Sequence, residues 1–544
     1  MNTKTLNAQM FKFALESGVN NLANNVEKIN SLNVFPVPDG DTGSNMLATI
    51  NSAYEAIKNM DSVTLSDVVK ETSKAMLFGA RGNSGVILSQ IFRGLSEILE
   101  TKKEANVIDL VKAFENAQKK AYQSVLKPVE GTILTFIREV AQALKENITE
   151  SNSIEDCFKL VVEQGKKTTI NSPNLLKILK ESGVTDSGSE GILLIFEGFN
   201  SFFSGIPIQR LKIEEKEKDL IFNLEHNKEE EFGYCTECIV DLKNPNKFNK
   251  NKIINDLEKH VKSIVIVEQE GYLKIHGHTL KPGSMLNYLQ KYGEFVKIKS
   301  ENMTLQSNQN STTESDNSTN SENSNPSLSG LVSCNNGQGI ISLMKQNGTD
   351  FIIEGGQTDN PSTQDIVTAI NSVNAKSVFV LPNNSNIILA AQQAAKIVTN
   401  KKVIVIPTKN QVQGIEASLN FNKDTKWQDN KELIEESLGT LRVLEVFQAS
   451  KDAKINNVKV KKDQFVAMEN NKLLKAKASA YDVIIDTIES LITQDSEMIY
   501  IYYGDLATES EALEIQNYLE QNYDLEIVIK NGQQKIFNFL IGVV

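Results

Sequence analysis

The sequence predicts a multidomain protein with an all-α N-terminal bundle or barrel, a small α+β middle unit and a C-terminal α/β unit. Three observations carry that prediction. Residues 1–206 are long amphipathic stretches separated by glycine loops, with no convincing run of alternating strand character. Beyond residue 330, β-branched apolar runs alternate with helical segments, the pattern of a largely parallel sheet flanked by helices. Between these lies Thr304 to Ser329, almost wholly Ser, Thr, Asn, Gln, Asp and Glu, which cannot bury enough apolar surface to fold and reads as a linker. A lesser break runs from Ile206-Pro207 through Lys218. The expected units are therefore 1–206, 219–303 and 330–544, joined by the 304–329 linker, in keeping with the usual domain size for a chain of 544 residues.

Composition narrows the class. A hydrophobic content of 40% is globular, and a net charge of −12 argues against nucleic acid or an anionic membrane as the main partner. No signal peptide or transmembrane segment is read, so a cytoplasmic location is expected. The four cysteines, Cys157, Cys235, Cys238 and Cys334, are too few and too scattered for a disulfide framework.

The first unit opens on an amphipathic helix with Leu15, Val19, Leu22, Val26 and Ile29 at helical steps. Then comes Asn33-Val34-Phe35-Pro36-Val37-Pro38-Asp39-Gly40-Asp41-Thr42-Gly43-Ser44-Asn45-Met46, a loop that leads into a helix. Prolines hold its first half extended, glycines let it turn, and Asp39 and Asp41 can aim at a common point. Such oxygen ligands suit Mg²⁺, which binds protein through one or two carboxylates and completes its shell with water and phosphate. A capped turn is the plainer alternative. A second loop, Gly79-Ala80-Arg81-Gly82-Asn83-Ser84-Gly85, precedes a helix marked by Ile87, Ile91, Leu95 and Ile98. With Asn83 or Ser84 as the cap, its N-terminus would attract an anion, the glycines allowing close approach. It is neither a Walker A loop nor a dinucleotide fingerprint. Two further glycine elements, Lys127-Pro128-Val129-Glu130-Gly131-Thr132 and Gly183-Val184-Thr185-Asp186-Ser187-Gly188-Ser189-Glu190-Gly191, each read singly as an ordinary helix junction.

In the middle unit, strands are expected at Tyr234 to Leu242, Ser263 to Val267 and Leu273 to Gly277, with helices near Ile253 to His260 and Met285 to Tyr292. Cys235-Thr236-Glu237-Cys238 is followed by His276-Gly277-His278. Thiolate and imidazole are zinc ligands, and residues i and i+2 of a strand share a face. Buried thiols and surface histidines are the alternative, although two of the four histidines fall in one tripeptide. In the last unit, strands are expected at Ser377 to Leu381, Lys402 to Ile406 and Met498 to Tyr502, and helices near Asn386 to Val398 and Glu509 to Leu519.

The four glycine elements of the first unit, in this order, resemble the nucleotide-binding L domain of the dihydroxyacetone kinase superfamily. More narrowly, Asn33 to Gly43, Gly79 to Gln90 and Pro128 to Thr135 resemble the ATP-binding component of bacterial fatty acid kinases. Later markers are Gly233 to Glu237, Ile275 to Thr279 with Glu301 to Met303, Gly355 to Thr358 and Leu381 to Asn384. The resemblance implies ATP and Mg²⁺ as cofactors, with Asp39 and Asp41, and Asn33 as a neutral third donor, holding the ion. Arg81 would add charge, while Thr42, Gly43, Ser44, Asn45, Gly82, Asn83, Ser84 and Gly85 would cradle phosphates. Gly131 and Thr132 would border the adenine or ribose, and Asp186, Ser187 and Gly188 would lie beside the nucleotide. It implies a structural Zn²⁺ on Cys235, His276 and His278, with Cys238 as a candidate fourth ligand. The acceptor would be a fatty acid presented by a separate DegV-like fatty-acid-binding protein, docked by the C-terminal unit, and a homodimer is compatible with this. Two other readings stay open: a kinase of the dihydroxyacetone type that phosphorylates a small hydroxyl acceptor, and a nucleotide-binding scaffold without turnover.

Overall fold

The computed structural model of the chain describes residues 3–33, 40–61, 63–125, 127–211, 234–243, 253, 256–257, 262–269, 272–279, 281–302, 326–356, 359–449, 452–455, 458–470 and 472–544. Residues 1–213 and 325–544 pack as one compact unit, and 214–324 form another. Two of the stretches expected to be separate domains thus share a single body.

Its N-terminal part is helical: α1 (Ala8–Asn24), α2 (Val26–Leu32), α3 (Thr42–Ile57), α4 (Leu65–Gly79), α5 (Gly82–Leu99), α6 (Val107–Gln123), α7 (Ile133–Asn147), α8 (Ile154–Leu175), α9 (Lys177–Ser182) and α10 (Ser187–Phe203). One short antiparallel pair, β1 (Thr5–Leu6) with β2 (Ala105–Asn106), ties the start of α1 to the start of α6. The amphipathic run read as one helix is two, divided at Asn25, whose φ of −124° and ψ of 12° leave the helical region and whose side-chain amide donates to the Asn21 carbonyl. Helix α10 is apolar on nearly every side, so it is buried in the centre rather than half exposed. Phe136 stacks on Phe196 and Phe158 on Phe203 around it, with ring centroids 6.4 and 5.1 Å apart. Helix α1 crosses α10 where two glycines meet: a Cβ on Gly198 would lie 2.4 Å from the Gly18 Cα.

The C-terminal part holds two sheets. Strands β7 (Ser327–Asn335), β8 (Phe351–Glu354), β9 (Ala375–Leu381) and β10 (Lys402–Val405) form an all-parallel sheet in the order β10-β9-β7-β8. Because β7 begins at Ser327, the last three residues assigned to the linker are strand; residues 304–325 lie outside the described residues. The second sheet has the order β15-β14-β11-β18-β16-β17, with β11 (Arg442–Gln448), β14 (Phe465–Glu469), β15 (Lys472–Lys477), β16 (Met498–Tyr503), β17 (Glu526–Asn531) and β18 (Phe539–Val543), beside a hairpin of β12 (Ala453–Ile455) and β13 (Val458–Val460). Only β16 and β17 pair in parallel there. The expectation of a largely parallel sheet therefore holds for half of this region. The reason is burial: Leu444, Val446, Ile499 and Ile541 pack on one face of the second sheet while Val443, Phe447, Tyr502 and Leu540 pack on the other. Strands covered on both faces read as continuous apolar runs whatever their direction.

The 214–324 unit has an antiparallel sheet in the order β4-β5-β3-β6, from β3 (Tyr234–Leu242), β4 (Lys262–Gln269), β5 (Tyr272–Thr279) and β6 (Gly293–Asn302), with helix α11 (Pro282–Leu289). Cys235 stands opposite His278 in the β3–β5 register, and Glu237 opposite His276. The side chains of Cys235, His276 and His278 lie outside the described residues. Cys238 does not join them as a fourth ligand. An odd spacing from Cys235 turns it to the other face of β3, where it is 1% exposed and packs with Val240, Leu273 and Ile275.

Candidate functional site

Four helix starts converge on one cavity of about 300 Å³ in the first unit. Asp41, Thr42 and Asn45 reach it from α3, Asn83 and Ser84 from α5, Thr132 and Ile133 from α7, and Asp186, Ser187 and Gly188 from α10. Asn33 closes it from the end of α2. Helix starts carry under-bonded backbone N–H groups and the positive end of a dipole, an arrangement that favours an anion. Ile87, Val125, Val129 and Leu134 supply an apolar portion suited to a flat ring.

Local bonding shows why these residues are where they are. Thr42 Oγ1 accepts from Asn33 Nδ2 at 3.2 Å and from the Ser187 hydroxyl at 3.3 Å, so it pins the ends of α2 and α10 to the start of α3. Asp186 caps α10, accepting from the Ser189 N–H at 2.8 Å and the Ser189 hydroxyl at 3.0 Å. Burial raises the Asp186 pKa, and the two bonds from Ser189 oppose that rise. Asp41 is 5% exposed and has no ion-pair partner among the described residues. Desolvation raises its pKa, against the pull of hydrogen bonds from Asn45 and Asn360. Thr132 caps α7 through the Leu134 N–H, and the Gly131 N–H donates to Thr135 Oγ1 at 2.8 Å.

Other residues expected at the site stand behind it. Ser44 faces α2, where its N–H donates to Asn30 Oδ1 at 3.1 Å and its hydroxyl accepts from Asn30 Nδ2 at 3.0 Å. A Cβ on Gly43 would lie 2.6 Å from the Val26 carbonyl oxygen, and one on Gly85 2.3 Å from Thr49 Oγ1, so these glycines let helices touch. Gly82, at φ +59°, does so too, since a Cβ there would meet Asn45 Nδ2 at 2.5 Å. The cap of α5 is Arg81, without a side-chain bond, rather than Asn83 or Ser84, which leaves both of those facing the cavity. Asp39 lies outside the described residues.

Arg81 departs most from expectation. Its guanidinium does not line the cavity; Nη1 donates to the Asn360 carbonyl at 2.8 Å, and ion pairs reach Asp359 at 3.8 Å and Asp365 at 3.9 Å. The guanidinium thus ties the helical part to the C-terminal part. Thr363 N–H donates to the Ala80 carbonyl at 3.1 Å, and Asn83 Nδ2 to Asn386 Oδ1 at 3.3 Å. Asn360, which lies behind Asp41, and the cavity residues Asn386 and exposed Lys127 were not singled out from sequence. Lys127 alone carried a signal, as the residue before Pro128-Val129-Glu130-Gly131. Among the described residues no cluster of three or more His, Cys, Asp or Glu side chains could hold a metal ion, and no helix is long and apolar enough to cross a membrane.

Comparison with known proteins gives the same order of parts. A DAK2 domain profile matches residues 36–201, the profile of the FakA-like fatty acid kinase middle domain matches 231–310, and that of the FakA-like C-terminal domain matches 330–544. Protein YloV of Bacillus subtilis is 37% identical over 553 aligned positions, covering 100% of both chains. An uncharacterized protein of Staphylococcus epidermidis is 37% identical over 549 positions, covering 99% of each. Among solved structures, a DegV lipid binding protein from Thermotoga maritima aligns to 40% of this chain and 98% of its own, at 13% identity and a TM-score of 0.31. Identity of this degree along the entire length, with all three profiles in sequence, places the chain in the FakA-like fatty acid kinase family, with a DAK2 domain at its N-terminal end.

Proposed function

We propose that this chain is the ATP-using component of a fatty acid kinase, transferring the γ-phosphoryl group of ATP to a fatty acid carboxylate and giving acyl phosphate and ADP. The observation that carries the reading is the meeting of four helix starts, the buried carboxylate of Asp41, the half-buried one of Asp186 and an apolar wall in one cavity, within a chain of this family. Phosphoryl transfer asks the protein mainly for positioning and charge stabilisation, and helix N-termini supply both.

The donor set fits Mg²⁺. Asp41 is a buried carboxylate without a cationic partner among the described residues, flanked by the neutral oxygens of Asn33 and Thr42. Asp41, Asn33 and Asp39 would hold the ion, which when bound neutralises charge on the β- and γ-phosphates. Thr42, Asn45, Asn83 and Ser84 would meet phosphate oxygens, and Thr132 and Ile133 would border the base. Gly43, Ser44, Gly82, Gly85 and Gly131 would act indirectly, by setting how closely the helices approach. A fatty acid carboxylate is already ionised at neutral pH, so no general base is required of the chain.

A DegV-like carrier would present the acyl chain, the C-terminal part would dock it, and the reaction would run in the cytoplasm. The register of β3 and β5 is compatible with a structural Zn²⁺ on Cys235, His276 and His278. Such an ion would tie the two strands together.

The deciding experiment incubates the pure chain with labelled ATP, Mg²⁺ and oleate, with and without a DegV-like protein. Acyl phosphate formed only with the carrier is the expected result. Phosphate on dihydroxyacetone instead would move the assignment to a small hydroxyl acceptor, and nucleotide binding without any transfer would leave a scaffold. Asp39→Ala and Asp41→Ala should each lower transfer by roughly 100-fold or more, with secondary structure retained by circular dichroism. Full activity in either would remove that carboxylate from the site.

A further inference from the structure

Asn360 lies more than three hundred positions from Asp41 in sequence, yet the two side chains are bonded in the fold. Asn360 Nδ2 donates to Asp41 Oδ2 and stands 3.5 Å from Asn45 Oδ1. The residue is 2% exposed, and its Oδ1 has no hydrogen-bond partner among the described residues. An amide oxygen buried without a partner is unfavourable, and the fold nevertheless keeps the Nδ2 donor on Asp41.

The surrounding loop is fastened to the same junction of α4 and α5 that starts one wall of the cavity. Arg81 holds the Asn360 carbonyl, and its backbone forms an antiparallel bridge with Ser362. Thr363 holds Ala80. Asp41 lines the cavity and Asn360 does not, so the amide sits behind the carboxylate instead of competing for what enters. One carboxylate oxygen is thereby held from behind, while Asp41 itself lines the cavity.

We infer that Asn360, delivered by the C-terminal part of the chain, is a positioning residue that orients Asp41 for the cation bound with the nucleotide, so that the DAK2 region alone is an incomplete site. The inference rests on the nucleotide reading given above. It explains why a loop of the C-terminal part donates a side-chain N–H to Asp41 and, through the carbonyl of the same residue, accepts from Arg81. A purely adhesive contact would need neither an amide on a buried carboxylate nor an orphaned oxygen.

The test uses the full-length chain and a fluorescent ATP analogue, titrated with and without Mg²⁺. In the wild type, Mg²⁺ should tighten binding; in Asn360→Ala that tightening should shrink at least tenfold, while affinity without Mg²⁺ stays within twofold. Arg81→Gln, which loosens the loop but leaves Asn360 and Asp41 chemically intact, should lose part of the tightening. Equal loss of affinity with and without Mg²⁺ in Asn360→Ala would overturn the inference in favour of a purely structural contact. An unchanged Mg²⁺ effect would overturn it outright. Asn360→Asp is isosteric but no longer donates, so it should bind Mg²⁺ and nucleotide more weakly; tighter binding would make position 360 a ligand and end the positioning role. A wild-type chain that binds no analogue under either condition would count against the nucleotide reading itself, a result distinct from all of these.

Discussion

Glu445 sits in an environment that opposes its charge. It lies on β11, 5% exposed, opposite Met468 of β14 and Leu540 of β18, on the face shared with Val443 and Phe447. Burial alone pushes its pKa up to about 7 from 4.5. Because the folded value is the higher one, the group costs nothing below pH 4.5, where it is protonated in both states. The cost grows as pH rises through about 7. Glu445→Gln should therefore stabilise the protein at pH 8.5 by at most roughly 3 kcal/mol and leave it almost unchanged near pH 4.5. Thermal unfolding at the two pH values checks this, and an equal shift at both would show that the carboxyl is not buried neutral. At the same scale, sequence located the site better than it assigned its atoms. Asp41, Thr42, Asn45, Asn83, Ser84 and Asp186, all singled out from sequence, line one cavity. Gly43 was read as a turn residue, and Gly82 and Gly85 as letting an anion approach; a Cβ on any of them would strike a neighbouring helix or its side chain. A glycine signals close approach but not by what. Asn360 and Asn386 left no local trace, because a lone asparagine in a loop has many ordinary uses.

Elements were legible where periodicity was strong. Strands β3, β9 and β16 start and stop within two residues of the apolar runs that predicted them. Direction and connection were not legible, since burial on both faces erases the alternation that would distinguish an antiparallel sheet. The α1–α10 crossing depends on a feature visible only once the helices are paired. A Cβ at Gly198 would lie 2.4 Å from Gly18 Cα and 2.5 Å from the Ser17 carbonyl oxygen, and backbone atoms cannot rotate away. The Ser17 hydroxyl also donates to the Gly198 carbonyl at 2.7 Å and accepts from the Ile208 N–H at 2.9 Å. Gly198→Ala should therefore force the helices apart and cost about 1–3 kcal/mol, despite alanine's better helix propensity. Urea denaturation measures this; a stabilised variant would mean that the crossing has slack.

At the scale of the whole molecule, the linker suggested a boundary that the packing does not respect. Residues 1–213 and 325–544 share one body, and the cluster built on Val332, Ile366 and Val380 takes in Ala80 and Val86 from the helical part. Burial of those side chains, the Arg81 ion pairs and the Thr363 bond to Ala80 act at one seam, beside the cavity. The seam should hold without a covalent connection. A protease site inserted between residues 310 and 320, in the Ser- and Asn-rich run, should be cut with the two fragments still eluting together on size exclusion. Raising salt to 1 M should not part them, because apolar burial is not screened as the exposed ion pairs are. Combining the cut with Val86→Asp should part them, since an unpaired charge would then be buried in the seam. Separation of the cut wild type at low salt would show that the contact is too weak to shape the site, and the Asn360 bond to Asp41 would then lose the support on which it depends.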